Sequence, residues 1–489
     1  MKNPTRRRFL QGGLATAGLA ATSLPARAQT SGANTDLRVA VIGCGGKGKG
    51  HLKSLLGAEG VRVAGVCDVD QAHLDDVVER TKKAGQQGLP PKGYLDYREL
   101  VEDPDIDSVI IATPNHLHTT IAVRAIAAGK HVYVEKPVSH NIWEGRKLIE
   151  AAQFASGKGL IVQHGMQRRS DTGWHEAMEW LADKDCPIGK VTLSRGLCYK
   201  ARQSIGKVDG PQQPPEGVNY DLWSGPREML PIRRERFHYD WHWQWPYGNG
   251  DIGNQGPHQM DVARWPLTNT TVAPRVISIG GRFGYDDDGT TANTQIAYFD
   301  FKPAPLIFEV CGLPNSGLDW KKGMPAYKGT RIGNIIHCEG GYIAESKAYD
   351  ADGKSIHKFG ITNGRGHLDN WLNAIRTGRH DTANWGAETG HLAAALCHQA
   401  NISYQLGKKM KPGAIKEQIK GNTEFTETFE RMKEHLAQNG IQIAKDQAIA
   451  GPMLSMNPNT ERFTGELAEE ANKYVKEDYR EGYEVLEIA

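Results

Sequence analysis

Short apolar runs alternate with helical stretches over the first third of the chain. The runs are four to seven residues long, and they occur at Leu37–Ile42, Val61–Cys67, Ser108–Ala112 and His131–Val134. Segments with helical spacing separate them, for example Thr119–Ala128, which Gly129 closes. Strands that alternate with helices are typical of a parallel, doubly wound sheet with helices on both faces. We therefore predict an α/β domain over residues 36–153.

Strands without intervening helices dominate the middle of the chain and indicate a second domain. We predict them at Val191–Tyr199, Val276–Gly281, Thr294–Phe301, Leu306–Val310, Arg331–Cys338 and Gly341–Ala344. Strands joined without crossover helices form antiparallel sheets. The stretch Gln203–Pro246, rich in proline and aromatic residues, is predicted to be a long ordered loop. Helices follow at His367–Arg376 and Glu388–Leu406. The pattern predicts an α+β domain over residues 154–410, and a helical extension over residues 411–489 with a charged tail helix, Thr464–Tyr483.

The first 28 residues have the features of an export signal rather than of folded structure. The run Thr5–Leu10 contains paired arginines, a weakly apolar stretch follows from Gly12 to Leu24, and Ala26-Arg27-Ala28 is a small-x-small cleavage site. We therefore predict a twin-arginine signal peptide over residues 1–28 and a periplasmic or secreted protein. The twin-arginine route carries folded proteins, which suits a protein that takes up its cofactor before export.

Charge and cysteine content narrow the classes of function. The formal net charge of +2 includes five basic residues of the signal, whose removal leaves 54 basic and 57 acidic residues. A slightly acidic mature chain argues against a nucleic-acid binder and suits a neutral small-molecule substrate. The seven scattered cysteines lack a Cys-x-x-Cys pair, which is typical neither of a disulfide framework nor of a zinc site. No apolar run after the signal is long enough to span a membrane.

A glycine-rich turn directly follows the first predicted strand. Gly43, Gly45, Gly46 and Gly48 form the pattern Gly-x-Gly-x-x-Gly. In this context, backbone amides at a helix N-terminus can face a pyrophosphate. Asp68 ends the second strand, 20 residues after Gly48, at the spacing expected for a carboxylate on the adenosine ribose. Because its charge would repel a 2′-phosphate, we predict NAD rather than NADP as the cofactor.

Two further segments lie where strands of such a sheet end and ligands bind. They are Thr113-Pro114-Asn115-His116-Leu117-His118 and Glu135-Lys136-Pro137. With the glycine turn, these motifs make residues 36–400 similar to the glucose–fructose oxidoreductase, inositol dehydrogenase and MocA (Gfo/Idh/MocA) family. The resemblance implies a Rossmann domain, an open-faced antiparallel sheet and nicotinamide-dependent oxidation of a carbohydrate. It also implies cofactor contacts from Thr113, Asn115, His118, Glu135 and Lys136.

Lys136 and His258 are the predicted catalytic residues. The resemblance places Lys136 against the nicotinamide and the reacting hydroxyl. A lysine in a dry pocket beside a positive nicotinamide has a lowered pKa, and its charge stabilises a developing alkoxide. The segment Gly248–Asp261 is similar to the family segment whose histidine is the general acid/base, and this assigns that role to His258. Asn254 stands where the family has an aspartate, and an amide can orient the histidine without adding charge.

Three further predictions concern the substrate and metals. Substrate contacts are predicted for Lys136, Arg168, Asn254 and His258. For Arg168, the alternative is a surface arginine on a domain-joining strand. The aromatic band Phe237–Tyr247 either stacks on sugar faces or packs into the core of the long loop. His164, His238 and His242 have no spacing diagnostic of a metal site, so we predict no metal.

The motifs together favour an NAD-dependent oxidoreductase. It would remove a hydride from a secondary alcohol of a sugar, glycoside or polyol, with His258 taking the hydroxyl proton. A second hypothesis is redox-assisted glycoside cleavage, in which transient oxidation of one sugar carbon acidifies the neighbouring C–H and drives elimination without net consumption of NAD. A third is a sugar-binding protein without turnover. Because sheet-to-sheet dimers are common in the resembling family, we also expect a homo-oligomer.

Overall fold

Two sheets, built from successive parts of the chain, organise the structure. The computed structural model describes residues 36–86, 89–267, 271–360, 362, 364, 366–380 and 386–488. The export signal predicted over residues 1–28 lies outside the described residues. Within them, no helix combines the length and the apolar character needed to cross a membrane.

The elements alternate in the first part of the chain and become strand-rich in the second. The strands are β1 Leu37–Ile42, β2 Val61–Cys67, β3 Lys92–Tyr94, β4 Ser108–Ile111, β5 His131–Val134, β6 Val162–His164, β7 Val191–Tyr199, β8 Arg275–Gly281, β9 Thr294–Phe299, β10 Leu306–Cys311, β11 Ile332–Cys338, β12 Gly341–Ala344, β13 Lys347–Asp350, β14 Ser355–Lys358, β15 Lys408–Lys409, β16 Ile449–Ala450, β17 Leu454–Asn457 and β18 Arg462–Thr464. The α-helices are α1 Gly46–Leu56, α2 Gln71–Lys83, α3 Tyr97–Glu102, α4 His118–Ala127, α5 Ile142–Gly157, α6 Thr172–Ala182, α7 Tyr220–Ser224, α8 Gly250–Asn254, α9 Gly256–Arg264, α10 His367–Thr377, α11 Ala387–Gln405, α12 Pro412–Gln418, α13 Thr423–Gln438, α14 Ile443–Asp446 and α15 Ala468–Asn472.

The first sheet is parallel throughout, in the order β3-β2-β1-β4-β5-β6. All four residues of β4 are buried, as are the last four of β1, because helices cover both faces of such a sheet. The four strands predicted for this sheet are confirmed. The short strands β3 and β6 were not predicted, and β6 carries the sheet beyond residue 153.

The second sheet is mixed, and β14-β13-β12-β11-β7-β10-β9-β8-β16-β15 form its main path. Most neighbours are antiparallel, as predicted, but β7 and β10 run parallel. Its inner face packs on α9 and α11, with Met260, Phe308 and Leu396 in the shared core. All six strands predicted here are confirmed, with ends that differ by at most two residues.

Part of the outer face of this sheet is covered by the chain itself rather than open. Ile277 and Ile296 of this face belong to one core with Phe425 and Phe429 of α13. The C-terminal region is also less helical than predicted, because β16 and β17 pair with β8. The predicted tail helix Thr464–Tyr483 is wrong apart from α15. Beyond α15 the chain forms turns and irregular structure, and its apolar side chains, such as Val485, pack against the first sheet's core.

A long connection, residues 200–249 between β7 and α8, crosses to the first sheet. It is ordered, as predicted, and the side chains of Trp223, Phe237 and Tyr247 form a core of its own. Its Gly217 carbonyl accepts a hydrogen bond from the Gln71 amide at 3.2 Å, and the neighbouring segment pairs with the turn after β2 through an isolated bridge. This β7–α8 connection therefore lies at the end of the sheet where parallel strands present their carboxyl termini.

Candidate active site

A cavity of about 670 Å³ lies at the carboxyl ends of the first sheet's strands. Its walls come from the turns after β1, β2, β4 and β5, from the β7–α8 connection, and from α8 and α9. Ligands bind at this edge of doubly wound sheets. The following sequence-predicted residues line it: Gly43, Gly45, Gly46, Asp68, Thr113, Asn115, His118, Glu135, Lys136, Asn254 and His258.

Some glycines of the first turn permit close backbone packing, and others leave the N-terminus of α1 open to the cavity. Gly43 has a φ of +90°, and a Cβ there would lie 2.6 Å from the Ala112 carbonyl carbon. A Cβ on Gly48 would lie 1.8 Å from the Gly43 oxygen, so Gly48 permits close packing of α1 on the turn and does not line the cavity. Gly45 caps α1 and Gly46 begins it, and a Cβ on Gly46 would meet nothing within 4 Å. The helix N-terminus therefore opens onto the cavity, which fits a pyrophosphate.

Asp68 fits an adenosine ribose. Its carboxylate accepts hydrogen bonds from the Cys44 amide at 2.7 Å and from the Asp70 amide at 3.0 Å. These bonds fix the carboxylate against the glycine turn while leaving about half of its acceptor positions for ribose hydroxyls. The His73 ring lies 3.6 Å away, and hydrogen bonding to Asp68 raises the pKa of His73.

The turn after β4 joins the turn after β5 through His118. The His118 ring lies 2.6 Å from the Pro137 carbonyl oxygen and 2.9 Å from that of Thr113. Burial lowers the pKa of His118. Thr113 Oγ1 is buried and has no hydrogen-bond partner among the described residues. Such an atom fits a polar group of a bound cofactor, because buried hydroxyls are normally hydrogen-bonded.

Glu135 is a buried carboxylate that anchors the end of β5 to α1. Its Oε1 lies 2.8 Å from His51 Nε2 and 3.3 Å from Lys47 Nζ. Burial acts to raise the pKa of Glu135, but these two partners outweigh it and hold the pKa far below its usual range. The charged carboxylate thereby fixes the backbone from which Lys136 projects.

Lys136 reaches across the cavity to α8. Its Nζ donates to the Asn254 backbone oxygen at 2.6 Å and lies 3.3 Å from Asn254 Oδ1. Burial lowers the pKa of Lys136; Glu135 opposes this shift, and the nearby Lys200 and Lys47 add to it. The sequence analysis assigned Asn254 to the orientation of His258, whereas in the structure its side chain contacts Lys136.

His258 lies in the first turn of α9 and faces the same cavity. Burial, with a smaller contribution from the charge of Lys136, lowers its pKa to about 3. The imidazole is therefore neutral over the physiological range and has a lone pair for a proton, and burial makes it a weaker base than an exposed histidine. A bidentate ion pair between Arg169 and Asp261, with both distances 2.7 Å, fixes α9 against the start of the second domain.

The remaining predicted substrate contacts are Arg168 and the aromatic band, and only part of this set lines the cavity. Arg168, a predicted substrate contact, is not among the residues that line the cavity, whereas the neighbouring Gln167 is. The Arg168 guanidinium lies 3.6 Å from Asp171 and 3.9 Å from Glu345. Phe237, Trp241 and Tyr247 of the aromatic band pack into the core of the β7–α8 connection. Four of its members line the cavity: His238, Tyr239, Trp241 and His242. His242 stacks on Trp241 with the ring centres 3.7 Å apart.

Two contacts of the site, made by Asn249 and His238, were not predicted from the sequence. Asn249 Oδ1 accepts a hydrogen bond from Asn115 Nδ2 at 2.5 Å, and its own Nδ2 donates to the His140 carbonyl. His238 lies against Asp70, at the adenosine end of the cavity. No local motif marks either residue, since each partner is more than 100 positions away.

Comparison with known proteins gives two family matches. Residues 37–164 match the oxidoreductase family with an NAD-binding Rossmann fold, and residues 186–303 match the C-terminal α/β domain of the same oxidoreductase family. Together the two matches span half of the chain.

Curated relatives match over about a third of the chain. Inositol 2-dehydrogenase of Salmonella typhimurium is 31% identical over 166 residues, which are 34% of this chain and 46% of the relative. An α-N-acetylgalactosaminidase of Shewanella oneidensis is 33% identical over 186 residues, 34% of this chain and 40% of the relative. The chain thus matches less than half of the length of these relatives.

The fold is shared over a longer span. The scyllo-inositol dehydrogenase of Lactobacillus casei, solved with NAD(H) and scyllo-inositol, superimposes with a TM-score of 0.52 and 17% identity. The match covers 74% of this chain and 95% of that chain.

Proposed function

Since the chain belongs to the Gfo/Idh/MocA family of oxidoreductases and has that family's NAD-binding Rossmann domain, we propose that it oxidises a secondary alcohol of a sugar, glycoside or polyol by hydride transfer. One observation carries the proposal. Lys136 and His258, from different domains, face a single cavity that also contains the glycine turn and Asp68. A residue that can accept the hydroxyl proton and a cation that can stabilise the alkoxide thus line the same cavity as the residues of a dinucleotide site.

Each side chain has a defined part in this chemistry. Bound NAD supplies the hydride acceptor. His258, neutral because of its lowered pKa, accepts the hydroxyl proton. The Lys136 ammonium, aimed by the Asn254 carbonyl at 2.6 Å, polarises the hydroxyl oxygen and stabilises the developing alkoxide.

The β7–α8 connection supports a carbohydrate substrate. It brings Tyr239, Trp241 and His242 to the cavity that contains Lys136 and His258. Flat rings suit the C–H faces of a sugar, while the amides of Asn249 and Gln167 suit its hydroxyls. The connection also covers part of the cavity, which helps to exclude water during hydride transfer.

Isotope transfer tests the proposal directly. The mature protein, loaded with NAD, is incubated with a panel of sugars, polyols and glycosides that carry deuterium at each ring carbinol in turn. We expect one position to give deuterated NADH, with a primary isotope effect, and Lys136→Met to abolish this signal while binding NAD. The sugar-binding alternative would be favoured if the wild type binds one sugar tightly but reduces no NAD and cleaves no glycoside of the panel.

Redox-assisted glycoside cleavage is the second candidate, and the similarity to an α-N-acetylgalactosaminidase favours it. It uses the same first step, so Lys136 and His258 keep their parts. The distinguishing result is release of the aglycone without accumulation of NADH, together with solvent deuterium at the carbon next to the oxidised one. Simple dehydrogenation gives NADH in proportion to product and no such exchange.

A further inference from the structure

Two histidines and a carboxylate from distant parts of the chain meet at the adenosine end of the cavity. Asp70 and His73 belong to the turn that begins α2, and His238 comes from the β7–α8 connection. Asp70 Oδ2 lies 2.8 Å from His238 Nε2 and 4.0 Å from His73 Nδ1, and the three ligand atoms lie within 4.8 Å of one another. We propose that Asp70, His73 and His238 bind a divalent transition metal ion of the zinc class, which fastens the β7–α8 connection to the Rossmann domain.

The spacing of the three atoms suits one small ion. In a four-coordinate site with bonds of about 2.0–2.2 Å, ligand atoms lie roughly 3.3 Å apart. The observed separations bracket this value, so side-chain adjustments of less than about 1 Å bring all three atoms onto a common centre. Two imidazoles and one carboxylate form a donor set that zinc, cobalt and nickel accept, and that magnesium and calcium disfavour.

The surroundings of the cluster support a cation. Asp70 is buried, and its other oxygen accepts the Ala72 amide at 2.8 Å as the cap of α2, so the carboxylate is fixed before any ion binds. Asp68 adds a second negative charge 3.6 Å from the His73 ring. The nearby cation, Lys49, forms an ion pair with Asp76 at 2.8 Å. Two carboxylates therefore lie beside the two imidazoles, and this negative surrounding favours a divalent cation.

The ion would also have an entry path and an open coordination position. The side chains of His73 and His238 remain 25% and 35% exposed, while Asp70 is 8% exposed. Water can reach the histidine side of the cluster and supply a fourth ligand. A site with three protein ligands and one exchangeable position is a common arrangement for zinc.

A hydrogen bond between His238 and Asp70 without any metal is the competing explanation, and Asp70→Asn separates the two. Asparagine caps helices as well as aspartate does, and its amide can still hydrogen-bond His238. It lacks the negative charge that makes a carboxylate a strong metal ligand. A simple hydrogen-bonded contact therefore survives this substitution, whereas metal binding is weakened.

The test uses the NAD-loaded mature protein, purified without a polyhistidine tag and stripped with a chelator. Titration with Co²⁺ should give one equivalent with a visible ligand-field spectrum, displaced by Zn²⁺. Asp70→Asn and His238→Gln should each weaken the Kd for Co²⁺ by at least about tenfold. His357→Gln, which removes an exposed histidine of β14, is the matched control and should bind as the wild type does.

The proposal fails if the wild type takes up no stoichiometric Co²⁺, a result that depends on no variant. It also fails if Asp70→Asn and His238→Gln, shown to be folded by their thermal unfolding, bind Co²⁺ as tightly as His357→Gln does. Zn²⁺ should raise the Tm of the wild type and of His357→Gln, but not that of Asp70→Asn. An equal rise in all three proteins would mean that the ion binds elsewhere.

Discussion

The surroundings of Lys136 shift its pKa in opposite directions. Burial and the neighbouring Lys200 disfavour the ammonium form, whereas the charged Glu135 favours it. The side chain is held by the backbone carbonyl and amide oxygen of Asn254, neither of which carries a net charge. The pKa of Lys136 is therefore lower than that of an exposed lysine. Uncharged oxygens of Asn254 hold the amine in place.

Removing the amine of Lys136 should separate catalysis from cofactor binding. We expect Lys136→Met to lower kcat by about 10²–10⁴-fold, because it removes the cation that stabilises the alkoxide, and to change the Kd for NAD only a few-fold. The pKa of His258 should rise, since Lys136 contributes to its depression, but burial should keep it below its ordinary value. Steady-state rates and an NMR titration of His258 measure both effects. Lys53→Met, at an exposed position of α1, is the control, and an unchanged rate in Lys136→Met would remove Lys136 from the chemistry.

Asn254→Asp should change the pH dependence in a defined direction. A carboxylate about 3.3 Å from Lys136 Nζ favours the ammonium form and raises the pKa of Lys136. A raised pKa means that the proton is lost at higher pH, so the alkaline limb of kcat/KM should move upward. Asn254→Ala keeps the backbone contact and should leave this limb nearly unchanged. A downward shift in Asn254→Asp would contradict the contact between the two side chains.

At the scale of elements, the sequence predicted strands well and the C-terminal region poorly. Strands such as β1 and β4 are buried on both faces and stand out as continuous apolar runs. The three-residue strands β3 and β6 are too short to form a pattern. The tail after α15 has a helix-favouring composition, but Tyr479 donates a hydrogen bond to Glu144 at 2.9 Å and Val485 packs in the first core. Tertiary contacts thus override local preference.

Two glycines of α1 should respond oppositely to the same substitution. Gly→Ala in a helix normally stabilises by roughly 0.5–1 kcal/mol, and Gly50→Ala should do so, because a Cβ there meets nothing within 4 Å. Gly48→Ala should instead destabilise the protein and weaken NAD binding, since its Cβ would lie 1.8 Å from the Gly43 oxygen. Denaturant unfolding and NAD titration measure the pair. Equal effects of the two substitutions would contradict the packing of α1 on the turn.

At the scale of the whole molecule, the site depends on contacts that no local pattern encodes. That Lys136 and His258 line one cavity could be predicted, because each stands in a recognisable motif. Asn249 and His238 could not, because Asn115 and Asp70, their partners, lie in the other domain. The long connection looked like a loop in sequence, and only the fold shows that it reaches the cofactor end of the cavity.

The covered outer face restricts how copies of the chain can assemble. We propose a homo-oligomer, and because α13 packs over β8 and β9, its interface should use the half of the sheet formed by β11 to β14. Tyr342 and Tyr349 stack on that half with ring centres 4.8 Å apart. Light scattering should give a multiple of the monomer mass, and Tyr342→Glu should reduce it, while Tyr474→Glu should not. A monomeric wild type would contradict the proposal.

We also propose that residues 1–28 direct export by the twin-arginine route. Replacing Arg6 and Arg7 together with lysine should leave the precursor in the cytoplasm, because that route requires the arginine pair. Cell fractionation and the mass of the retained chain check the result, and Lys2→Arg serves as the control. Export of the double variant at the normal rate would point to another route.

The pairing of β8 with β16 and β17 has a consequence for biosynthesis. β8 ends at Gly281, and its late partners begin at Ile449. A ribosome adds about 5–20 residues per second. The edge of β8 therefore remains unpaired, and the apolar face beside it incomplete, for on the order of ten seconds or more. An unpaired edge next to an apolar face invites association between nascent chains. The emergence of the segment from Ile449 onward therefore sets the earliest moment at which a new chain can complete its second sheet.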